Sequence, residues 1–136
     1  QPEVPACPYR RLFRVAAGAG TMASGQGMWR RSGDPLPDDR LTHVCSLTYA
    51  SDLYLMSTAM RPHGIGFMRG NVVGASLDHA VWFHGQFRAD EWLYYDQRSP
   101  WAGGSRGLNF GHAFTEGGKL VATAVQEGLM RPNNRA

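Results

Sequence analysis

The chain has 136 residues and a mass of 15.0 kDa, enough for one domain with its own hydrophobic core. Hydrophobic residues make up 43% and charged residues 18%, which excludes a wholly disordered chain, and no apolar run approaches the roughly 20 residues that span a bilayer. The net charge of +3 comes from dispersed arginines, since Lys119 is the only lysine, and this excludes the basic stripe typical of nucleic-acid binding.

The first forty residues predict two strands and the start of a helix. Residues 1–9 hold three prolines and predict an irregular lead-in. Arg10–Ala17 and Gly27–Arg31 predict strands, separated by a stretch rich in glycine, alanine and serine. Asp38 and Asp39 follow a turn signal and are placed where carboxylates cap a helix.

Helical periodicity dominates from Arg40 to Met60. Apolar residues recur there at steps of three and four. The residues that share this stripe are Leu41, Val44, Cys45, Thr48, Leu55, Met56 and Ala59. The pattern predicts one long helix, or two helices meeting near Ser51, ended by Pro62 and Gly64.

The rest of the chain is rich in strand-forming residues divided by turn signals. The predicted strands are Asn71–His84, Glu91–Ser99, Arg106–Thr115 and Lys119–Met130. A long helix followed by four sequential strands predicts an α+β fold, in which an antiparallel sheet wraps the helix. We expect residues 1–136 to form a single domain of this kind.

Two short sequence patterns indicate structural roles and not catalytic or metal-binding ones. Gly103–Gly107 matches the GxSxG pattern, but strands are predicted on both sides, which indicates a glycine-rich hairpin turn instead of a nucleophile elbow. Cys7 and Cys45 lack the CxxC spacing of zinc sites and are too few for a disulfide framework. Together with the composition, this cysteine usage predicts a soluble, cytoplasmic protein.

The segment Asp78–His84 places one aspartate and two histidines close together. On a strand, Asp78, Trp82 and His84 share one face and His79 lies on the other. Because the two histidines then point in opposite directions, they cannot chelate one ion without a bulge. Structural polar roles are therefore favoured over a metal site.

Three further polar residues leave their roles open. Asp52 lies on the apolar stripe, where it must be desolvated or line a cleft, unless Ser51 or Asp52 caps a second helix after a kink. Gln126 shares the otherwise small and apolar face of Leu120–Met130, so it is either a core hydrogen-bonding group or a site residue. Ser76 is uninformative alone.

Several stretches, in order, carry a family resemblance. They are Tyr49–Leu53 (YASDL), Arg61–Gly64 (RPHG), Ala75–His84 (ASLDHAVWFH), Phe87–Tyr95 (FRADEWLYY), Ser105–Gly107 (SRG) and Val121–Arg131 (VATAVQEGLMR). From Leu41 to Arg131 the sequence resembles the acyl-CoA thioesterase II (TesB-like) family, and the likeness is thinner from Tyr9 to Arg40.

The resemblance implies a hotdog fold and hydrolysis of acyl-CoA to free fatty acid and CoA, without a metal or organic cofactor. It implies that Asp52, Ser76 and Gln126 are the catalytic residues. Arg69 and Arg106 are candidates for contacting the CoA phosphates, solvated surface positions being the alternative.

The same resemblance bears on the partners of the chain. Members of the family carry two hotdog domains, and this sequence resembles only the second. The expected partners are therefore acyl-CoA and another hotdog domain, supplied by a homodimer or by a separate chain. Apolar strand surface, including parts of Val81–Phe83 and Trp92–Tyr95, is expected to form the interface.

The expected mechanism uses a positioned water. Asp52 activates the water, and Ser76 and Gln126 hold it, although a covalent acyl-aspartyl route stays open. The alternative function is a non-catalytic acyl-CoA-binding or assembly module. A hotdog enoyl-CoA hydratase would need an Asp–His pair on the active helix, and His63 lies past the helix stop.

Overall fold

The computed structural model describes residues 13–17 and 24–133, so the predicted lead-in over residues 1–9 lies outside the described part. Strands and helices follow one another in the order predicted. Their bounds are β1 Phe13–Ala17, β2 Gly25–Ser32, α1 Arg40–Asp52, α2 Leu55–Met60, β3 Val72–Ser76, β4 Ala80–Phe83, β5 Leu93–Gly103, β6 Arg106–Thr115 and β7 Leu120–Pro132. Two 3₁₀ turns, Arg61–His63 and Phe67–Arg69, connect α2 to β3.

The strands of the described ranges form one antiparallel sheet in the order β1-β2-β5-β6-β7-β3, and β4 also pairs with β7. Gly104 and Ser105 connect β5 to β6 with φ values of 56° and 61°. Positive φ at both central residues is typical of a two-residue hairpin turn whose twist matches the strands. The predicted hairpin at the GxSxG match is therefore confirmed.

Asp39 caps α1, because its carboxylate accepts the Thr42 amide at 3.0 Å. The helical segment breaks after Asp52, and Tyr54 adopts a left-handed conformation with φ of 69° before α2 begins. The alternative of two helices is thus confirmed. Neither Ser51 nor Asp52 caps the second one, since Tyr54 occupies that position without a side-chain cap.

The predicted apolar stripe is wrong on α1. Leu41, Cys45 and Thr48 are exposed, and the buried residues are His43, Leu47, Ala50 and Ser51. The stripe residues of α2, which are Leu55, Met56 and Ala59, are buried as predicted. The prediction for α1 assumes that the helical phase of these residues continues backward into α1. The left-handed residue between the helices breaks that phase, because adjacent helical positions differ by about 100° around the axis.

The core lies between the helices and the inner face of the sheet. One cluster of buried side chains joins α1 and the start of α2 to the central strands: Met28, Leu47, Leu55, Leu93, Tyr95, Ala113, Val121, Ala122 and Ala124. A second joins α2 to the end of β7: Met56, Ala59, Met60 and Met130. This arrangement confirms the α+β prediction and is a hotdog fold.

The described helices are all too short or too polar to cross a bilayer. The predicted inner face of β7 is confirmed from Ala122 to Met130, where alternate residues are buried. A register shift against β6 near Ala113 leaves Leu120 half-buried and Val121 fully buried.

Candidate active site

Buried side chains hold the last turn of α1 by its carbonyl groups. Arg30, only 5% exposed, donates to the carbonyl oxygens of Ala50 and Leu53. The Tyr95 hydroxyl donates to the Ser51 carbonyl oxygen at 2.9 Å. The terminal carbonyls of a helix lack intrahelical partners and carry partial negative charge, so a buried guanidinium suits them. Burial raises the pKa of Tyr95, which keeps its phenol a donor.

Asp52 is the last residue of this anchored turn, and its side chain is exposed. The expectation that it lies on a buried stripe is therefore wrong, for the change of helical phase described above. Ser51, its neighbour in sequence, is 3% exposed and faces the sheet. The end of α1 thus presents one carboxylate to solvent and one hydroxyl to the core.

The predicted strand Asn71–His84 is interrupted. Ser76 pairs with Gly128 at the end of β3, and Ala80 pairs with Val125 at the start of β4, so three residues oppose two on β7. In this gap the Asp78 carboxylate accepts the Glu127 amide at 2.7 Å. The extra residue reverses the alternation of side chains between the two faces of the sheet, as a β-bulge does. Ser76 and His79 can therefore both point toward the helices.

The three residues implied by the family resemblance are brought together by these elements. Gln126, on the inner face of β7, has its Nε2 atom 2.6 Å from Ser76 Oγ. Ser76 Oγ in turn lies 3.5 Å from Asp52 Oδ1, longer than a usual O–H···O bond. Ser76 Oγ also lies 3.6 Å from Met56 Sδ, and both the hydroxyl and the carboxylate are exposed to a third group.

The structure adds two residues to this arrangement. His79 lies with Nδ1 2.7 Å from Gln126 Oε1 and with Nε2 2.7 Å from Ser51 Oγ. Since Ser51 precedes Asp52, the contacts close a ring, which we call the active ring: Ser51, His79, Gln126, Ser76 and Asp52. Sequence reasoning assigned His79 a structural role and missed its contact with Gln126. The signal was its placement in a polar ASLDH segment beside Ser76.

Exposure divides the active ring into two sides. Asp52 and Ser76 are exposed, whereas Gln126 is 0% exposed. The buried Asn109 also bonds to Gln126, because its Nδ2 donates to the Gln126 backbone carbonyl oxygen at 3.4 Å. A solvent molecule or substrate therefore reaches the carboxylate and the hydroxyl first, while Gln126 supports them from behind. An exposed carboxylate beside an oriented hydroxyl can take a proton from a water that both contact.

The two candidate arginines lie apart from each other. Arg69 ends the exposed turn before β3, and the ring of Phe67 in that turn packs against Gly74, where a Cβ atom would lie 2.8 Å from it. Arg106 follows the hairpin turn and pairs with Glu127 at 2.8 Å. Residues of β6 alternate between the buried face and the outer face, and Arg106 belongs to the outer one. Arg69 thus lies on the turn that packs against β3, the strand of Ser76, whereas Arg106 points away from the active ring on the outer face of β6.

A surface cavity of about 440 Å³ lies at the opposite end of α1, lined in part by Arg40, His43, Phe87 and Thr115. None of the five residues of the active ring lines it. Within the described ranges, no group of histidine, cysteine, aspartate or glutamate side chains is arranged to hold a metal ion.

Comparison with known proteins gives consistent matches. The family model described as acyl-CoA thioesterase matches residues 7–129. Acyl-coenzyme A thioesterase 8 of Rattus norvegicus is 40% identical over 85% of this chain and 36% of its own length. Acyl-CoA thioesterase 2 of Haemophilus influenzae is 38% identical over 78% of this chain and 37% of its own length. The chain thus spans roughly a third of these curated relatives.

A solved structure agrees with the sequence matches. The acyl-CoA thioesterase II TesB2 from Mycobacterium marinum superposes with a TM-score of 0.80 at 44% identity. The superposition covers 100% of this chain and 58% of that one.

Proposed function

The chain belongs to the acyl-CoA thioesterase family, and we propose that it hydrolyses fatty acyl-CoA to free fatty acid and CoA. The observation that carries this proposal is the position of Ser76 Oγ, 2.6 Å from Gln126 Nε2 and 3.5 Å from Asp52 Oδ1. An amide thus orients a hydroxyl toward an exposed carboxylate. This is a suitable arrangement for holding and deprotonating one water molecule.

In the proposed reaction, Asp52 accepts a proton from the water that attacks the thioester carbonyl carbon. The new C–O bond gives a tetrahedral intermediate with a negative oxygen. Its collapse breaks the C–S bond, the fatty acid leaves, and the CoA thiolate takes a proton, which Asp52 can return. Ser76 and Gln126 hold the attacking water, with Ser76 in direct contact and the buried Gln126 acting through Ser76.

We assign the CoA phosphates to Arg69. Guanidinium groups match phosphate geometry, and Arg69 is exposed on the turn that packs against β3, the strand of Ser76. Its Nη1 donates only to a carbonyl, that of Gly64 at 3.3 Å, so no carboxylate in the described chain neutralises it by a salt bridge. Arg106 is paired with Glu127 and faces away, so we leave it out of the proposed site.

We propose that another hotdog domain pairs with the β3–β4 edge of the sheet, from a second copy or a separate chain. β3 ends the strand order, and this edge carries Val73, Leu77 and Trp82, each more than half exposed. Edges of this kind pair with other chains unless they are covered. The other segment expected to contribute, Trp92–Tyr95, contains Tyr95, which is 3% exposed and belongs to the core.

Release of free thiol from acyl-CoA, followed with a chromogenic thiol reagent, tests the proposed function. The full chain should release CoA from a medium-chain or long-chain substrate. A non-catalytic acyl-CoA-binding module would bind the substrate without releasing thiol. A hydratase would consume enoyl-CoA and leave the thioester bond intact.

A further inference from the structure

We propose that His79 is a positioning residue that fixes the orientation of the Gln126 amide, and through it the hydrogen of the Ser76 hydroxyl. The proposal rests on the proposed function, which supplies the reaction. His79 lies on the half-buried side of the active ring. Neither the family match nor the predicted mechanism assigns it a role.

The donors and acceptors of the active ring determine where its hydrogens lie. Gln126 Nε2 lies 2.6 Å from Ser76 Oγ, so its Oε1 atom is the one that faces His79 Nδ1, at 2.7 Å. A carbonyl oxygen only accepts hydrogen bonds, so Nδ1 must carry the hydrogen. In the neutral imidazole, Nε2 is then an acceptor, and it lies 2.7 Å from the hydroxyl of Ser51.

Ser51 can supply the hydrogen that Nε2 needs. Its Oγ also lies 2.7 Å from the Thr48 carbonyl oxygen, a second acceptor for the same hydrogen. That carbonyl is also positioned to accept the Asp52 amide, four residues on within α1. Giving the Ser51 hydrogen to His79 therefore leaves no carbonyl without a donor.

The active ring then becomes a chain of donors with a single direction. Ser51 donates to His79, His79 to Gln126, Gln126 to Ser76, and Ser76 toward Asp52. Such chains polarise each bond in turn, and this one ends on a carboxylate, the strongest acceptor in the set.

An Nδ1-protonated His79 holds the active ring in this direction, whereas an Nε2-protonated ring would fit the reversed amide. An amide can turn over in place, exchanging its oxygen and nitrogen. A reversed Gln126 would present Oε1 to Ser76 Oγ and draw the hydroxyl hydrogen away from Asp52 and the water. It would also present Nε2–H to the Nδ1–H of His79, donor against donor. The Nδ1 hydrogen of His79 therefore opposes the reversed, unproductive amide.

The experiment compares variants at His79 in the full chain. In His79→Asn, the side-chain amide nitrogen lies near the former Nδ1 and can still donate to Gln126, whereas His79→Leu removes every donor. We expect His79→Leu to lower kcat about 10- to 100-fold, as loss of a partner that orients a reacting group does, with KM changed by less than about twofold. His79→Asn should recover most of kcat.

His84→Asn is the matched control, because His84 also bonds to β7, through Thr123 at 2.8 Å, but outside the active ring.

A measurement on the resting protein separates this inference from the proposed function. Nitrogen-15 NMR of the histidine rings at neutral pH distinguishes the two neutral tautomers, and we expect His79 to carry its hydrogen on Nδ1. An Nε2-protonated ring, or equal loss of kcat in folded His79→Asn and His79→Leu, would overturn the inference. If the wild-type chain releases no CoA, the proposed function fails, and the tautomer still decides the direction of the ring.

Discussion

Ser51 and Asp52 are consecutive residues at the end of α1, and their side chains enter one ring of hydrogen bonds from opposite ends. Ser51 contacts His79 on the buried side, and Asp52 faces Ser76 on the exposed side. Because the two are joined by a peptide bond, any shift of this helical turn moves both ends of the ring together. The geometry of the site therefore depends on how α1 ends.

Arg30 should be essential to that helix end. Replacing it in Arg30→Met removes the donor to the Ala50 and Leu53 carbonyls, so we expect the free energy of unfolding to fall by about 1–3 kcal/mol. The kcat for acyl-CoA should fall as well, because Asp52 lies in the same turn. Denaturant unfolding and the thiol assay measure the two effects. Arg98→Met, at an exposed arginine of the same sheet, is the control, and equal unfolding curves for the two variants would contradict the role of Arg30.

Ser76 and Gln126 should act as one unit. Ser76→Ala and Gln126→Met each break the 2.6 Å contact between hydroxyl and amide, so each should lower kcat about 10²-fold with a smaller effect on KM. The kcat of the double variant should be close to that of the worse single variant, because either change alone already abolishes the contribution of the pair. Multiplying losses in the double variant would instead assign the two residues to independent roles.

Much of the fold follows from local pattern, and the failures have identifiable physical causes. Gly104 and Ser105 form the predicted hairpin because glycine readily adopts the positive φ that a two-residue turn requires, and Gln126 faces the core because β7 alternates without interruption near it. The exposure of Asp52 was mispredicted, since the left-handed conformation of Tyr54 breaks a helical phase that periodicity treats as continuous.

Long-range partners account for the rest. The His79 side chain points toward the helices because the β3–β4 segment has one more residue than the stretch of β7 opposite it. The sequence of the β3–β4 segment alone does not show how many residues of β7 will oppose it. The burial of Arg30 likewise depends on carbonyl groups at Ala50 and Leu53, which lie 20 and 23 residues further along the chain.

The pair Arg88–Asp90 should give the fold an acid-sensitive contact. Hydrogen bonds from Arg88, then from the Leu36 amide, lower the pKa of Asp90 from its ordinary 3.8 to about 2. A carboxylate whose pKa is lowered by folding stabilises the folded state fully above its unfolded pKa, and this stabilisation is lost as the pH falls through the folded value. We expect wild type to exceed Asp90→Asn in stability at neutral pH, with the difference vanishing between about pH 4 and pH 2.

Thermal unfolding of both proteins across that range measures the effect. A difference in melting temperature that stays constant down to pH 2 would show that the Asp90 carboxylate contributes nothing through its charge. Asp34→Asn, at an exposed aspartate near the start of α1, is the control for a general effect of lost charge.

The β3–β4 edge should be covered in the active protein. We expect light scattering to give a species larger than the 15.0 kDa chain, either a homodimer or a complex with a second hotdog chain. A charge placed on this edge, in Val73→Lys or Trp82→Glu, should reduce the assembled fraction and the activity together. Full activity in a species of monomer size would contradict the pairing.

Thiol release by wild type, Asp52→Asn and Asp96→Asn, under saturating acyl-CoA, tests the central claim most directly. Asp96 is the matched control, since it is a carboxylate on the outer face of β5 that pairs with Arg98 at 3.2 Å. Circular dichroism should show all three proteins folded. We predict that Asp52→Asn lowers kcat by about 10²–10⁴-fold, the usual cost of losing a general base, and that Asp96→Asn stays near wild type. A folded Asp52→Asn variant with kcat within about threefold of wild type would remove Asp52 from the reaction and contradict the proposed mechanism.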